Sequence, residues 1–183
     1  KMCAIIGLDL ENVKTICESA SIGAAKVVPA NINSPEQIVI SGDATAVDIA
    51  ASYAKERGAK MVAPLQVSAP SHSPLMEKAA EKLGSELARI GFRTPMCPVI
   101  TNVSAEPYKD AGGISGGLKA QLTSPVRWVD IIRRMKRDGI DTIVEIGPGK
   151  VLTGLVKRID KEIKTYNLSE AGDIDKLAFD MNR

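Results

Sequence analysis

The sequence predicts an α/β chain in two parts, and two observations predict it. Over residues 1–66, short apolar runs and two helix-period stripes follow one another in the order β-α-β-β-α-β, a ferredoxin-like arrangement. From residue 97 onward, strand-type and helix-type segments alternate one for one, the pattern of a parallel sheet with crossover helices. An apolar share of 44% in 183 residues is enough for a core. The chain therefore divides at 66/67, with a ferredoxin-like subdomain before the division and a parallel-sheet subdomain over 67–183.

Each element has its own signal. Residues 2–7 form a short apolar strand, and Asp9 is placed to cap a helix in which Leu10, Val13, Ile16, Cys17 and Ala20 recur at helical spacing. Residues 27–32 read as a strand, 31–35 as a turn, and 37–41 as a strand closed by Gly42. Asp43 then caps a helix with Val47, Ala50, Ala51 and Ala54 on one face, Gly58 ends it, and 60–64 give a fourth strand. Ser73-Pro74 is a cap followed by proline in the first turn, opening a helix to about Ile90 with the stripe Met76, Ala79, Ala80, Leu83, Leu87 and Ile90. Residues 97–101 read as a short buried strand, 104–117 as a glycine-rich loop and 118–122 as a short helix. Ser124-Pro125 repeats the start signal for a helix ending near Asp138. A strand at 142–146, the turn Gly147-Pro148-Gly149, a helix at 150–160, a strand at 163–168 and a helix at 174–181 complete the chain.

Composition narrows the function classes. Aromatic residues make up 3% of the chain, too few to stack single-stranded nucleic acid, and a net charge of +2 calls for neither nucleic acid nor a membrane surface. Cys3, Cys17 and Cys97 form no C-x-x-C pair, and the chain holds a single histidine. That pattern fits neither a disulfide framework nor a zinc site, and it points to a reducing, cytoplasmic setting. No apolar run approaches the roughly 20 residues of a membrane span. Lys1-Met2-Cys3 opens directly into Ala4-Ile5-Ile6, as in a piece of a longer chain rather than a secretory leader.

The single histidine, His72, lies in V-S-A-P-S-H-S-P-L-M (67–76), between two serines and two prolines at the expected start of a helix. A neutral imidazole there can accept a proton as a general base. It can equally be a loop histidine that only packs, and residue type alone does not decide. Gly113-Ile114-Ser115-Gly116-Gly117 spells G-x-S-x-G, but a nucleophile elbow needs a buried strand leading into the serine, and Pro107-Tyr108-Lys109-Asp110 is not one. Gly147-Pro148-Gly149-Lys150 lacks the spacing and the Lys-Ser/Thr ending of a phosphate loop, and reads as a strand-to-helix turn. Arg133, Arg134, Lys136 and Arg137 form either a solvated helix face or a docking surface for an acidic partner.

Four strings in order carry a more specific message: N-I-N-S-P-E-Q-I-V-I-S-G (31–42), the His72 string, Q-L-T-S-P-V-R-W (121–128) and E-I-G-P-G-K-V-L-T-G-L (145–155). Together they resemble the malonyl-CoA:acyl-carrier-protein transacylases of dissociated fatty-acid synthesis, over nearly the whole chain. The resemblance implies a ferredoxin-like subdomain inserted into an α/β-hydrolase-like one, with 67–183 matching the later portion of the latter. It implies that His72 is the catalytic histidine and that Gln121 orients it through its main-chain carbonyl. Asn31 and Asn33 match asparagines of the insert that face the substrate cleft.

The family's nucleophilic serine and carboxylate-binding arginine have no counterpart in these 183 residues, and the resemblance puts them upstream. The implied partners are malonyl-CoA, an acyl carrier protein bearing a phosphopantetheine thiol, and the missing N-terminal part of the same enzyme. No bound cofactor or metal is implied, and Arg133 and Arg134 are the candidate carrier-docking residues. Three alternatives go with this reading: an inactive folding or binding fragment, an acyltransferase domain of a polyketide synthase, and a serine hydrolase. The ending at 176–183, with no linker-like tail, favours a free-standing enzyme over a synthase module.

Overall fold

The computed structural model describes residues 1–181, with the side chains of 176 and 179–181 excepted; the reading of 176–183 as an ending without a linker falls largely outside the described residues. The chain forms two compact units, Lys1–Ile131 and Ile132–Arg183.

The first unit is built on a four-stranded antiparallel sheet in the order β2-β3-β1-β4, with β1 Met2–Ile6, β2 Val27–Ser34, β3 Gln37–Gly42 and β4 Met61–Pro64. Helices α1 (Leu10–Ala20) and α2 (Ala44–Glu56) join the strands. Val13, Ile16, Cys17 and Ala20 of α1 and Ala46, Val47, Ala50 and Ala54 of α2 are buried, and they meet Cys3, Ile5, Ile38 and Ile40 of the sheet in one core. The 3.6-residue stripe of each helix and the two-residue alternation of the strands thus converge on the same layer. Asp9 caps α1 as expected, its Oδ1 accepting from the Asn12 N–H at 2.8 Å, and that bond holds its carboxyl below the usual carboxylate range. Asp43 does not cap α2. Its carboxylate instead accepts from the Lys26 N–H at 2.7 Å, tying the start of the helix to the residue that leads into β2.

Several sequence expectations are corrected in the rest of this unit. The expected turn at 31–35 is confined to Pro35-Glu36, and strand β2 continues through Asn31 and Asn33 to Ser34, because β3 pairs with it down to Ser34↔Gln37. The segment 97–101 forms no strand; Ile100 makes one isolated bridge to Pro107, Pro98 has no N–H to give a ladder, and no neighbouring strand runs beside it among the described residues. Residues 112–117 are helical: α4 spans Gly112–Gln121, and Asp110 Oδ1 accepts from the Gly113 N–H at 3.1 Å at its start. G-x-S-x-G is therefore mid-helix and Ser115 is no elbow.

Helix α3 runs Glu77–Leu87, with Ala80 and Leu87 buried, and Ile90 lies beyond its end and 54% exposed. Helix α5 (Trp128–Arg137) begins later than the Ser124-Pro125 signal suggested. Val126 is extended instead, held between the Ala30 carbonyl (2.8 Å) and the Ile32 N–H (2.9 Å) of β2.

In the second unit, β5 (Thr142–Ile146) and β6 (Lys164–Leu168) pair in parallel, as expected, with α6 (Val151–Ile159) between them and α7 (Gly172–Met181) after. Gly147 and Gly149 take φ of +132° and +91° at the turn into α6, backbone that a side chain would strain. Parallel strands are normally covered on both faces, yet Ile146 at the end of β5 is 82% exposed, and Val151 at the start of α6 is 70% exposed.

Candidate active site

His72 stands on the segment between β4 and α3, half-buried, with its backbone at φ +60°. For a non-glycine residue that left-handed conformation costs about 1–2 kcal/mol, so the surrounding chain must hold it. Ser73 is fully buried, and its hydroxyl donates to the Pro70 carbonyl at 2.6 Å. Its own carbonyl accepts from the Met76 N–H at 3.0 Å. The expected side-chain cap is thus corrected: the Ser73 hydroxyl turns back to Pro70, and Pro74–Met76 form a tight 3-10 turn before α3 begins at Glu77.

The ring meets Gln121. His72 Nδ1 lies 2.8 Å from the Gln121 main-chain oxygen and 3.1 Å from the Gln121 side-chain amide nitrogen. A carbonyl can only accept, so the shorter contact requires a proton on Nδ1, and in the neutral ring Nε2 then carries the lone pair. An amide nitrogen facing that proton would be two donors in conflict. Turning the amide over puts its oxygen there and gives Nδ1–H two acceptors. Gln121 is the last residue of α4, where carbonyls have no partner within the helix and the dipole's negative end lies. The helix therefore offers the imidazole an oriented, partly negative oxygen. Among the described residues the ring hydrogen-bonds only to Gln121, and no serine reaches it.

Two glycines let neighbours pack close to the helix that ends at Gln121. Gly117 has the Tyr108 ring against it, and Gly84 of α3 has the stem of Lys119 against it. Tyr108 is itself anchored by its N–H to the Val99 carbonyl at 3.0 Å. Of the glycines in this helix, Gly117 is the one that a neighbour approaches most closely, whereas Gly116 faces open space.

Asn31 and Asn33 lie half-buried on β2, where the pairing with β3 is interrupted by two bulges, between Pro29 and Asn31 and between Ile32 and Ser34. The first bulge takes Ala30 out of the ladder and frees its carbonyl for the Val126 N–H. The strand carrying both asparagines is so joined to the segment that follows Gln121. Neither asparagine side chain hydrogen-bonds to His72 or Gln121. A cleft of about 420 Å³ adjoins this junction, lined by Leu10, Val28, Pro29, Ile32, Pro125 and Arg127 among others, and neither His72 nor Gln121 lines it.

The remaining candidates separate clearly. Arg133 is exposed, whereas Arg134 is half-buried and donates from Nε to Asp138 at 2.7 Å. Lys136 pairs with Glu162 at 3.0 Å. Cys17 is no hidden nucleophile: burial pushes its thiol up to about 12, so it stays protonated at neutral pH. Sequence reasoning missed Glu145. Its two carboxylate oxygens accept from the Leu152 and Thr153 N–H groups at 3.0 and 2.8 Å, so the start of α6 carries its own anion. The signal was present as a glutamate ending a strand just before a Gly-Pro-Gly turn into a helix.

With this geometry in view, comparison with known proteins identifies the class. The family model of the acyl transferase domain matches residues 6–176, and the chain belongs to that family. Among individual proteins, it is similar to the malonyl CoA-acyl carrier protein transacylase of Bacillus subtilis, at 44% identity over 174 residues, which is 95% of this chain and 55% of that protein. The solved malonyl CoA-acyl carrier protein transacylase of Coxiella burnetii matches at 43% identity with a TM-score of 0.93, over 96% of this chain and 55% of its own. A malonyl-transacylase solved in complex with its type II polyketide acyl-carrier protein matches at 39% identity and a TM-score of 0.95, over 98% of this chain and 58% of its own. The chain spans about half the length of the curated relatives it matches. Among the described residues no helix is long and apolar enough to cross a membrane.

Proposed function

We propose that the whole protein moves a malonyl group from malonyl-CoA to the phosphopantetheine thiol of an acyl carrier protein, and that this chain supplies the histidine of a Ser-His pair. The observation that carries the reading is the 2.8 Å contact from His72 Nδ1 to the Gln121 carbonyl, which leaves Nε2 free to take a proton. The names of the relatives give the substrates. On this reading the serine and the arginine for the malonyl carboxylate are supplied from outside these 183 residues. The subdomains divide at 66/67, with a ferredoxin-like insert followed by an α/β-hydrolase-like portion.

The serine hydroxyl loses its proton to His72 Nε2 as its oxygen attacks the thioester carbonyl carbon. The tetrahedral adduct collapses, the C–S bond breaks, and the departing coenzyme A sulfur takes the proton back. The carrier thiol then gives its proton to the same nitrogen and attacks the malonyl-serine ester, and the serine leaves with that proton. Gln121 holds the ring through a main-chain oxygen, as a carboxylate would, without a full negative charge. Asn31 and Asn33 face the substrate, Arg133 and Arg134 the acidic carrier. Coenzyme A enters as a substrate thioester, and no resident cofactor takes part.

The test is His72→Ala in the intact protein, assayed for malonyl transfer to the holo carrier. A fall of at least about 10²-fold in kcat is expected, and wild-type turnover would overturn the reading. A second reading, that the 183 residues alone are inactive, has support of its own: no serine reaches the His72 ring among the described residues, and Ile146 and Val151 of the parallel-sheet unit are exposed. Covalent labelling of the isolated chain by radioactive malonyl-CoA would refute it.

A further inference from the structure

We propose that Ser73 is a positioning residue for His72, and that its buried hydroxyl holds the imidazole in the left-handed backbone conformation that brings Nδ1 to Gln121. The inference rests on the reading of His72 as the general base.

Four observations meet at this residue. Among the described residues His72 is one of two non-glycine residues with positive φ, at +60°, so its conformation is not one the local chain would choose. Ser73, directly after it, is one of the few polar side chains buried in full, at 0% exposure. Its hydroxyl closes the turn behind the histidine, donating to Pro70 across three residues at 2.6 Å. Its carbonyl closes the turn ahead, accepting from the Met76 N–H at 3.0 Å.

One residue thus clamps both sides of the strained position, and each proline fixes one φ at the ends of the clamp. A left-handed residue swings its Cβ to the side opposite to that of an extended or helical one. If His72 relaxed to negative φ, the ring would leave the Gln121 carbonyl. The hydroxyl is the part of the clamp that a substitution removes while leaving both prolines and the main-chain hydrogen bond in place. An alanine there loses the bond to Pro70, and the strain stored at His72 then favours relaxation.

The predicted consequence is specific to turnover. Binding of malonyl-CoA does not use the His72 Nε2 lone pair, whereas proton transfer requires it within about 3 Å of its target. In the intact protein, Ser73→Ala is expected to lower kcat for malonyl transfer to the carrier by at least tenfold while changing KM less than threefold. Ser73→Cys keeps the volume and a weak S–H donor, and it should fall between alanine and wild type. Nitrogen NMR of the His72 ring supplies a readout independent of turnover: the hydrogen-bonded Nδ1–H signal of wild type should be lost or broadened in Ser73→Ala.

His72→Ala is measured in parallel. If it keeps activity, the general-base reading falls and this inference falls with it. If it abolishes turnover while folded Ser73→Ala retains wild-type kcat and the Nδ1–H signal, the positioning role alone is overturned. A loss of kcat in Ser73→Ala that tracks a lowered melting temperature, with the Nδ1–H signal intact, also overturns it, since the hydroxyl would then serve stability only. Should Ser73→Ala not fold, Ser73→Cys decides by the same two readouts.

Discussion

A Cβ added to Gly117 would stand 2.6 Å from the Tyr108 hydroxyl oxygen and 2.7 Å from a ring carbon, closer than packed atoms come. Gly116, one residue earlier on the same helix, has nothing within 4 Å of the equivalent point. Neighbouring glycines in α4 therefore differ in kind. Gly117→Ala forces the Tyr108 ring to shift, a cost of about 1–3 kcal/mol for overpacking, which outweighs alanine's helix-propensity gain of up to about 1 kcal/mol. Gly116→Ala meets open space and should stabilise by roughly 0.5–1 kcal/mol. Urea denaturation of the two variants checks this, and equal effects of one sign would refute the packing account. Because α4 ends at Gln121, Gly117→Ala should lower turnover as well.

The two contacts between Gln121 and the His72 ring are separable, because one is main chain and one is side chain. Gln121→Ala removes the 3.1 Å amide contact and leaves the 2.8 Å carbonyl. The expected loss in kcat is about two- to thirteenfold, since a net hydrogen bond contributes about 0.5–1.5 kcal/mol. A loss as deep as that of His72→Ala would mean that the side-chain amide orients the ring.

Glu145 gives a prediction in pH. The Thr153 hydroxyl and N–H beside its carboxylate, with the Leu152 and Val151 N–H groups, hold it below the usual glutamate value. A carboxyl held lower in the folded than in the unfolded chain stabilises above the unfolded value, about 4.3, and that stabilisation is lost as pH falls through the folded one. Glu145→Gln should therefore melt below wild type at pH 7, and the gap should close as the pH is taken below 4. A gap that does not change with pH would show that the carboxylate charge is not what holds α6.

Local signals were enough where local forces decide. The stripe Val13, Ile16, Cys17 and Ala20 is buried as its spacing requires, and Asp9 caps α1 because the bond spans only three residues. His72 was legible as a site candidate from its Ser-His-Ser setting between prolines. Its left-handed backbone was not, since that depends on Ser73 reaching back to Pro70 and Gln121 arriving from 49 residues away. The first half of α4, 112–117, was hidden because glycine propensity argues against it, while Tyr108 packing argues for it from outside the segment; its end at 118–121 was legible. The extended Val126 was hidden likewise: Ser124-Pro125 is a helix start in isolation, but β2 claims both main-chain groups of the next residue. In each case a contact distant in sequence overrode a local preference.

The basic face of α5 is best tested one residue at a time, because its arginines are differently employed. Arg134 already donates to Asp138 at 2.7 Å and is half-buried, so reversing its charge breaks an existing pair. Arg133 is exposed, with no ion pair among the described residues. If this face meets the acidic carrier, Arg133→Glu should lower kcat/KM for the carrier several-fold in the intact protein and leave the malonyl-CoA half-reaction unchanged. The wild-type rate should also fall more steeply with added salt than the variant's, since an exposed charge acts through steering and is screened over about 10 Å at 0.1 M. Arg134→Glu should instead lower the melting temperature. Carrier kinetics and salt dependence left unmoved by Arg133→Glu would remove this face of α5 from the docking surface.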